Sequence, residues 1–105
     1  MSLRNEKIQE ALRETAAEFL AREANRQSLI TVTGAYVSED GKRGNIFMTV
    51  FPDSAETAAV DFANRNRGEF AQFFKTRVRG VFPPRIEFVI DRGEKNRQRL
   101  DELSS

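Results

Sequence analysis

A chain of 105 residues with a formal net charge of +1 is long enough to form one domain with its own apolar core. It contains neither cysteine nor histidine, which excludes disulfide bonds and thiolate zinc sites and removes the commonest general base. No apolar run approaches the length of a membrane span, and the charged start does not resemble a secretory signal. We therefore expect a single cytoplasmic domain over residues 1–105, with no metal and no cofactor.

The first predicted element is an amphipathic helix over residues 4–24. Four side chains recur at helical spacing and form its apolar stripe: Ile8, Leu12, Thr15 and Phe19. The opposite side carries an acidic ridge: Glu6, Glu10, Glu14 and Glu18. Because like charges four residues apart repel slightly, we attribute this ridge to solubility or specificity and expect it to face away from any nucleic acid.

Two strands are predicted next, over residues 29–37 and 45–51, because both segments are rich in β-branched and aromatic residues. A hairpin loop with an Asp-Gly turn signal joins them. This loop holds a G-x-x-G match at residues 41–44, which we interpret as a β-turn whose Lys42 and Arg43 are at most peripheral phosphate contacts. The second strand is apolar on both faces, so it is expected to be central in the sheet or covered on its second side.

A pair of helices follows this second strand. Asp53 with Glu56 resembles a capping pair, and the helix that it opens is predicted to run to residue 66. A second helical stripe begins at once and consists of Phe70, Phe73, Phe74 and Val78. Gly68 lies at the junction and is expected to mark a kink or break, because glycine inside a helix costs about 1 kcal/mol relative to alanine.

The order of the elements predicts the fold class. Gly80 is expected to cap the second helix of the pair, a third strand covers residues 85–91, and a short charged helix follows over residues 93–103. The chain is therefore α-β-β-α-(Gly)-α-β, which predicts a two-layer α+β domain with helices on one face of a small three-stranded mixed sheet. Type II KH domains, which bind single-stranded RNA where two consecutive helices meet, have this order.

Positive charge is concentrated in residues 62–85, where six basic side chains and one acid give +5 in a chain of net charge +1. Such charge separation is typical of a surface that binds a phosphate backbone, although a solvated helix face gives the same pattern. Guanidinium groups, an amide, a glycine and a helix N-terminus meet at the junction and suit phosphate chemistry, unless the junction is only a kink within the core. The candidate RNA-binding residues are Arg65, Asn66, Arg67, Gly68, Lys75, Arg79 and Arg85.

Helical geometry separates the remaining basic residues. Lys75 and Arg79 fall opposite the apolar stripe and are expected to project outward. Arg77 falls inside the stripe and must either extend its guanidinium to water or lie past the end of the helix. The nine phenylalanines have spacings typical of core residues, so we interpret them as packing rather than stacking residues. The position of Tyr36 is not predicted.

Over nearly its whole length the chain resembles the ribosome-binding factor A family, bacterial KH-like factors that mature the small ribosomal subunit. The matching segments are Val37-Ser38 with Asp40, residues 45–50, Gly68-Glu69-Phe70 and residues 84–91. In that family an Ala-x-Gly kink replaces the usual KH loop, and Asn66-Arg67-Gly68 occupies its place here. Two departures are the asparagine that begins this kink and Arg85, which stands where the family usually has an acidic residue.

The resemblance implies a monomeric, non-catalytic assembly factor that binds ribosomal RNA of the immature small subunit near the decoding region. It also implies departure when maturation is complete, with a GTPase as the family's kind of release partner. Two alternatives stay open: a generic KH-type binder of single-stranded nucleic acid, and a protein-interaction domain whose basic face meets an acidic partner. Catalysis is the least favoured, because a chain without histidine or cysteine would need paired carboxylates or a lysine nucleophile.

Overall fold

The computed structural model describes residues 3–23 and 28–93. Its elements are α1 (Leu3–Glu23), β1 (Leu29–Val37), β2 (Arg43–Phe51), a 3-10 turn (Asp53–Ala55), α2 (Glu56–Arg65), α3 (Arg67–Arg77) and β3 (Arg85–Ile90). The predicted α-β-β-α-α-β order is therefore confirmed. The predicted helix over 93–103 and most of the connection over 25–28 lie outside the described residues.

The three strands form one mixed sheet in the order β1-β2-β3. β1 and β2 are antiparallel, whereas β2 and β3 are parallel. The prediction that the second strand is central is thus confirmed. Its inner face is buried throughout, while its outer face changes along the strand, since Phe47 is buried and Phe51 is 71% exposed.

The hairpin glycines have two different roles, so the β-turn predicted over 41–44 is wrong in its second half. The turn closes earlier, where the Gly41 N–H donates to the Ser38 carbonyl at 2.8 Å and Gly41 adopts φ +74°. Arg43 and Gly44 already belong to β2, and Gly44 pairs with Val37. A Cβ at Gly44 would lie 3.1 Å from the Tyr36 carbonyl oxygen and 3.4 Å from Pro84, so this glycine permits close packing.

The core lies between the sheet and the three helices. The predicted apolar stripe of α1 is buried, including Thr15. At the centre stands Phe70 of α3, which is fully buried and has its ring centroid 5.6 Å from that of Phe19 and 5.7 Å from that of Phe88. Edge-to-face geometry of this kind adds to the burial term. One aromatic cluster therefore joins α1, α3 and β3.

The start of α2 differs from the predicted capping pair. The N-cap residue is Ala55, which makes no side-chain cap, and the preceding 3-10 turn closes through the Ala55 N–H and the Pro52 carbonyl at 2.9 Å. The Glu56 carboxylate instead forms an ion pair, with its Oε1 3.5 Å from an Nη of Arg92. The turn hydrogen bond satisfies the backbone here, so the side chain of Asp53 is not required as a cap.

The end of α3 also differs from the prediction. Val78 is extended (φ −126°, ψ 110°), so the helix ends at Arg77 and not near Gly80. Leaving the helix lets both Val78 and Val81 pack against the core. The packing of Val78 and Val81 against the core thus outweighs the helical spacing of the sequence, which predicted that α3 would continue.

Replacement of Phe70 by alanine is expected to lower the free energy of unfolding by about 3–5 kcal/mol, because it removes the ring that joins three elements. Equilibrium unfolding in urea measures the change. Phe51→Ala is the matched control, since that ring is largely exposed and its loss is expected to stay within about 0.5 kcal/mol. Equal effects of the two substitutions would contradict the central position of Phe70.

Candidate nucleic-acid interface

A single residue separates α2 from α3. Asn66 has φ −99° and ψ 16° and breaks the helical path between Arg65 and Arg67. Its side-chain amide donates to the Phe62 carbonyl at 2.8 Å, and its backbone N–H points to the Phe62 and Ala63 carbonyls. The asparagine thus closes the end of α2 with its own side chain. The break lies at Asn66, not at Gly68 as the sequence suggested.

Gly68 lies in the first turn of α3, where the protein itself makes no demand for glycine. Its φ is not positive, and a Cβ at this position would meet no atom within 4 Å. Glycine in a helix is nonetheless unfavourable relative to alanine. The absent side chain therefore leaves an open approach to the helix N-terminus.

The N-terminus of α3 presents uncapped backbone donors. Asn66 forms no side-chain cap, and the hydrogen bond from the Phe70 N–H to the Asn66 carbonyl (2.9 Å) opens the helical ladder. The N–H groups of Arg67, Gly68 and Glu69 precede that bond. Free N–H groups and the positive end of the helix dipole favour an anion at this place.

Asn64 has a structural role that the sequence did not indicate. Its amide donates to the Phe88 carbonyl at 3.0 Å and accepts from the Phe88 N–H at 2.9 Å. β3 is an edge strand, and Phe88 directs both backbone groups away from β2. Asn64 therefore takes the place of a neighbouring strand, which is a long-range contact that local sequence does not reveal.

Arg67 is fixed beside this contact. Its Nε donates to the Asn64 carbonyl at 3.0 Å, and one Nη lies 3.5 Å from the Ile86 carbonyl oxygen. The side chain remains exposed. The guanidinium is thereby held along the free edge of β3 with one side turned to solvent.

Arg65 completes the junction. It is exposed and shares a shallow depression with Asn64, Arg67 and Asp61. Asp61 is the one acid that lines the depression, and two guanidinium groups line it as well, so its net charge is positive. The structure thus brings four of the predicted residues together in one place: Arg65, Asn66, Arg67 and Gly68.

The other predicted residues lie further along the surface. Arg85 begins β3 opposite Arg43 in the register, and its N–H donates to the Lys42 carbonyl at 2.9 Å. Arg85 therefore lies beside Lys42 and Arg43 at the hairpin tip. The sequence alone did not indicate that these three basic residues come together. Hydrogen bonds from the Ser38 hydroxyl and the Lys42 N–H lower the pKa of the Asp40 carboxyl, which supplies a negative charge in the same turn.

Lys75 is exposed on α3, as predicted. Arg79 is also exposed, but the helical argument for it was wrong, because α3 ends two residues before it. Arg77 extends to water as expected, with its guanidinium 2.8 Å from Glu18 and 4.7 Å from the Phe73 ring centroid. One member of the acidic ridge therefore meets a basic residue of α3, and Arg77 is occupied within the fold.

Two aromatic side chains contradict the interpretation that all phenylalanines pack in the core. Phe82 is 86% exposed and Phe51 is 71% exposed. Phe82 lies between the two predicted elements and directly before two prolines, which is the signal that could have identified it. Tyr36 is half-buried and lies on the outer face of the sheet, opposite Asn45.

The described ranges lack two kinds of feature. Residues 3–23 and 28–93 contain no helix that is long and apolar enough to cross a membrane. In the same part of the chain, no three acidic side chains are grouped as a metal site.

Comparisons with known proteins agree on one family. A family model described as ribosome-binding factor A matches residues 4–104. The ribosome-binding factor A of Trichlorobacter lovleyi is 31% identical over 107 residues, which cover 95% of this chain and 84% of that protein. The protein of the same name from Geobacter metallireducens is 27% identical over 106 residues, covering 98% and 90%.

Solved structures show the same fold. The crystal structure of ribosome-binding factor A from Thermus thermophilus superposes with a TM-score of 0.74 at 23% identity, over 85% of this chain and 98% of that one. A homology model of the Thermus thermophilus factor, fitted into a cryo-EM map of a 30S complex, gives a TM-score of 0.67 at 26% identity. It covers 77% of this chain and 88% of that one.

Asn64→Ala is expected to lower the free energy of unfolding by about 1–3 kcal/mol, because two backbone groups of Phe88 lose their partner. Thermal or urea unfolding measures the loss. Gln72→Ala removes an exposed amide from α3 and serves as the control, with an expected change within about 0.5 kcal/mol. An unchanged stability of Asn64→Ala would show that the edge of β3 does not need this amide.

Proposed function

Because the chain belongs to the ribosome-binding factor A family, we propose that it binds ribosomal RNA of the immature small ribosomal subunit and assists its maturation without catalysis. The observation that carries the proposal is the open N-terminus of α3 between two arginines. There, free N–H groups, a glycine without steric purpose in the fold and flanking positive charge meet at one exposed place. A phosphate of single-stranded RNA satisfies all three.

The residues around this place act in different ways. Arg65 is free to reach a phosphate, whereas Arg67 is held along β3 and presents a fixed guanidinium. Gly68 lets the RNA backbone approach the N–H groups closely. Lys75, Arg79 and Arg85 extend the positive surface away from the junction and bind further phosphates, together with Lys42 and Arg43 at the hairpin tip.

A relative supports the choice of partner. The fitted coordinates of the Thermus thermophilus factor belong to a complex with the 30S subunit. We extend that partner to this chain because fold, family and basic junction coincide. From the family resemblance we further propose that residues 1–105 act as one cytoplasmic, monomeric unit whose release involves a GTPase.

The side chains of this protein do not favour catalysis. The chain has no histidine or cysteine, and the three lysines of the described ranges (Lys7, Lys42 and Lys75) are exposed. A lysine nucleophile needs a lowered pKa from burial or neighbouring cations in a closed site. Binding and positioning of RNA remain as the function that these side chains serve.

Removal of the free cations is expected to abolish the preference for precursor subunits. The Arg65/Lys75/Arg79→Ala variant leaves the structural Arg67 in place and is predicted to reduce the slope of log K against log[salt] by about 2. Binding to purified immature subunits, mature subunits and a random single strand is measured across a salt series. Wild type should favour immature subunits.

The charge-matched control is Arg4/Lys7/Arg92→Ala, which removes three exposed cations away from the junction. It should retain both the preference and the slope. If wild type bound immature subunits, mature subunits and the random single strand equally well, the chain would be a generic KH-type binder. No salt-dependent binding would contradict the proposal and favour the protein-interaction alternative.

Gly68→Ala tests the approach to the helix N-terminus. Because the site of the new methyl group is empty, the free energy of unfolding should stay constant or rise by up to about 1 kcal/mol. RNA affinity should fall, since the methyl group lies where the phosphate backbone approaches. Urea unfolding and RNA titration of the same sample separate the two effects. Undiminished affinity would show that the glycine serves neither fold nor RNA.

A further inference from the structure

Phe82 is the most exposed large apolar side chain of the described part of the chain, at 86%. It lies in the segment 78–84 between α3 and β3. Its neighbours behave differently, since Val81 packs against the core and Pro84 is buried. The segment is therefore anchored, and the phenyl ring alone points away from it.

The fold uses the Phe82 ring little: the ring is not buried, and its contact with the Lys75 ammonium is a solvent-exposed one. An exposed phenyl ring gives up the burial free energy that Phe70, Phe74 and Phe88 gain inside the molecule. An apolar ring that the fold does not bury is accessible to a partner.

The backbone that carries the Phe82 ring is conformationally restricted. Phe82 precedes Pro83, which restricts its backbone to extended conformations, and the two prolines fix their own φ angles. Pro84 in turn packs against Gly44 of β2, where a Cβ would lie 3.4 Å from the proline ring. Because the backbone is already restrained, a partner that covers the ring orders only its side-chain torsions.

The electrostatic surroundings identify the partner. Lys75 places its Nζ 6.0 Å from the centroid of the Phe82 ring, within cation–π range. Residues 70–86 contain four cations and no acid, and Arg77 alone among them pairs with a carboxylate in the described part of the chain. The other three are Lys75, Arg79 and Arg85. A partner that combines an aromatic face with adjacent negative charge fits this combination, and an unstacked nucleotide has both.

We propose that Phe82 is a stacking platform for one unpaired RNA base, with Lys75 and Arg79 holding the phosphates on either side of it. This inference rests on the RNA-binding function proposed above and adds a second contact point to the junction at Gly68. The junction reads only the backbone, whereas a stacked base requires that the strand be locally unpaired. The factor thereby distinguishes open from duplex RNA.

Four variants of the 105-residue chain test the platform: Phe82→Ala, Phe82→Trp, Phe82→Leu and Phe51→Ala. Phe82→Ala should weaken binding of an oligoadenylate of about 10 nucleotides by about 5- to 100-fold and leave binding of an abasic strand of equal length unchanged. The salt dependence should stay constant, because no charge is lost. Phe82→Trp should retain affinity. Phe51→Ala, which removes the other largely exposed phenylalanine, should bind both strands as wild type does.

The tryptophan variant gives a direct readout, because the natural chain contains no tryptophan. Stacking should quench its fluorescence with oligoadenylate and not with the abasic strand. Melting temperatures equal to that of wild type establish that each variant is folded.

Four outcomes would overturn the inference. The first is unchanged oligoadenylate affinity of Phe82→Ala, and the second is full affinity of Phe82→Leu, which would indicate an apolar contact without stacking. The third is a blue-shifted, unquenched tryptophan that appears only with whole subunits, which would indicate a protein pocket. The fourth is a wild type that binds no RNA at low salt. That result would refute the proposed function together with the platform, whereas in the first two the wild type still binds.

Discussion

The packing of Phe70 determines where the candidate interface lies. Its ring is fully buried against Phe19 of α1 and Phe88 of β3, only four residues after the break at Asn66. The first turn of α3 is consequently fixed at the free edge of the sheet and cannot slide along it. The exposed N–H groups, the glycine and the two arginines inherit their positions from this one buried ring. An interface made of exposed side chains is thus oriented by a fully buried ring.

The positive charge of the sequence is only partly available to a partner. Arg77 pairs with Glu18 and lies over the ring of Phe73. Arg67 donates hydrogen bonds to backbone carbonyls. The free cations form an outer series that follows the junction, the end of α3 and the hairpin tip. Charge counting located the basic segment, and hydrogen bonding divides it into residues that shape the surface and residues whose cationic groups are exposed to solvent.

The sequence predicted those elements whose periodicity is repeated several times. The stripe of α1, the two antiparallel strands and the order of all described elements follow from it directly. What it missed depends on contacts between distant residues. The end of α3 is set by burial of Val78 and Val81 against other elements, and the role of Asn64 depends on a strand 24 residues away. Phe82 was misassigned because residue type indicates burial on average, whereas its loop offers no core to enter.

The edge of β3 has a consequence for self-association. An unpaired strand edge is a template on which another chain can add, and proteins commonly cover or charge such edges. Here the cover consists of Asn64 and Arg67, which lie immediately beside the proposed RNA-binding junction. A substitution of Arg67 that alters the proposed RNA contact therefore also alters how well the edge of β3 is shielded from a second copy of the chain. A substitution at this edge thus changes the exposed positive charge and the shielding of the strand together.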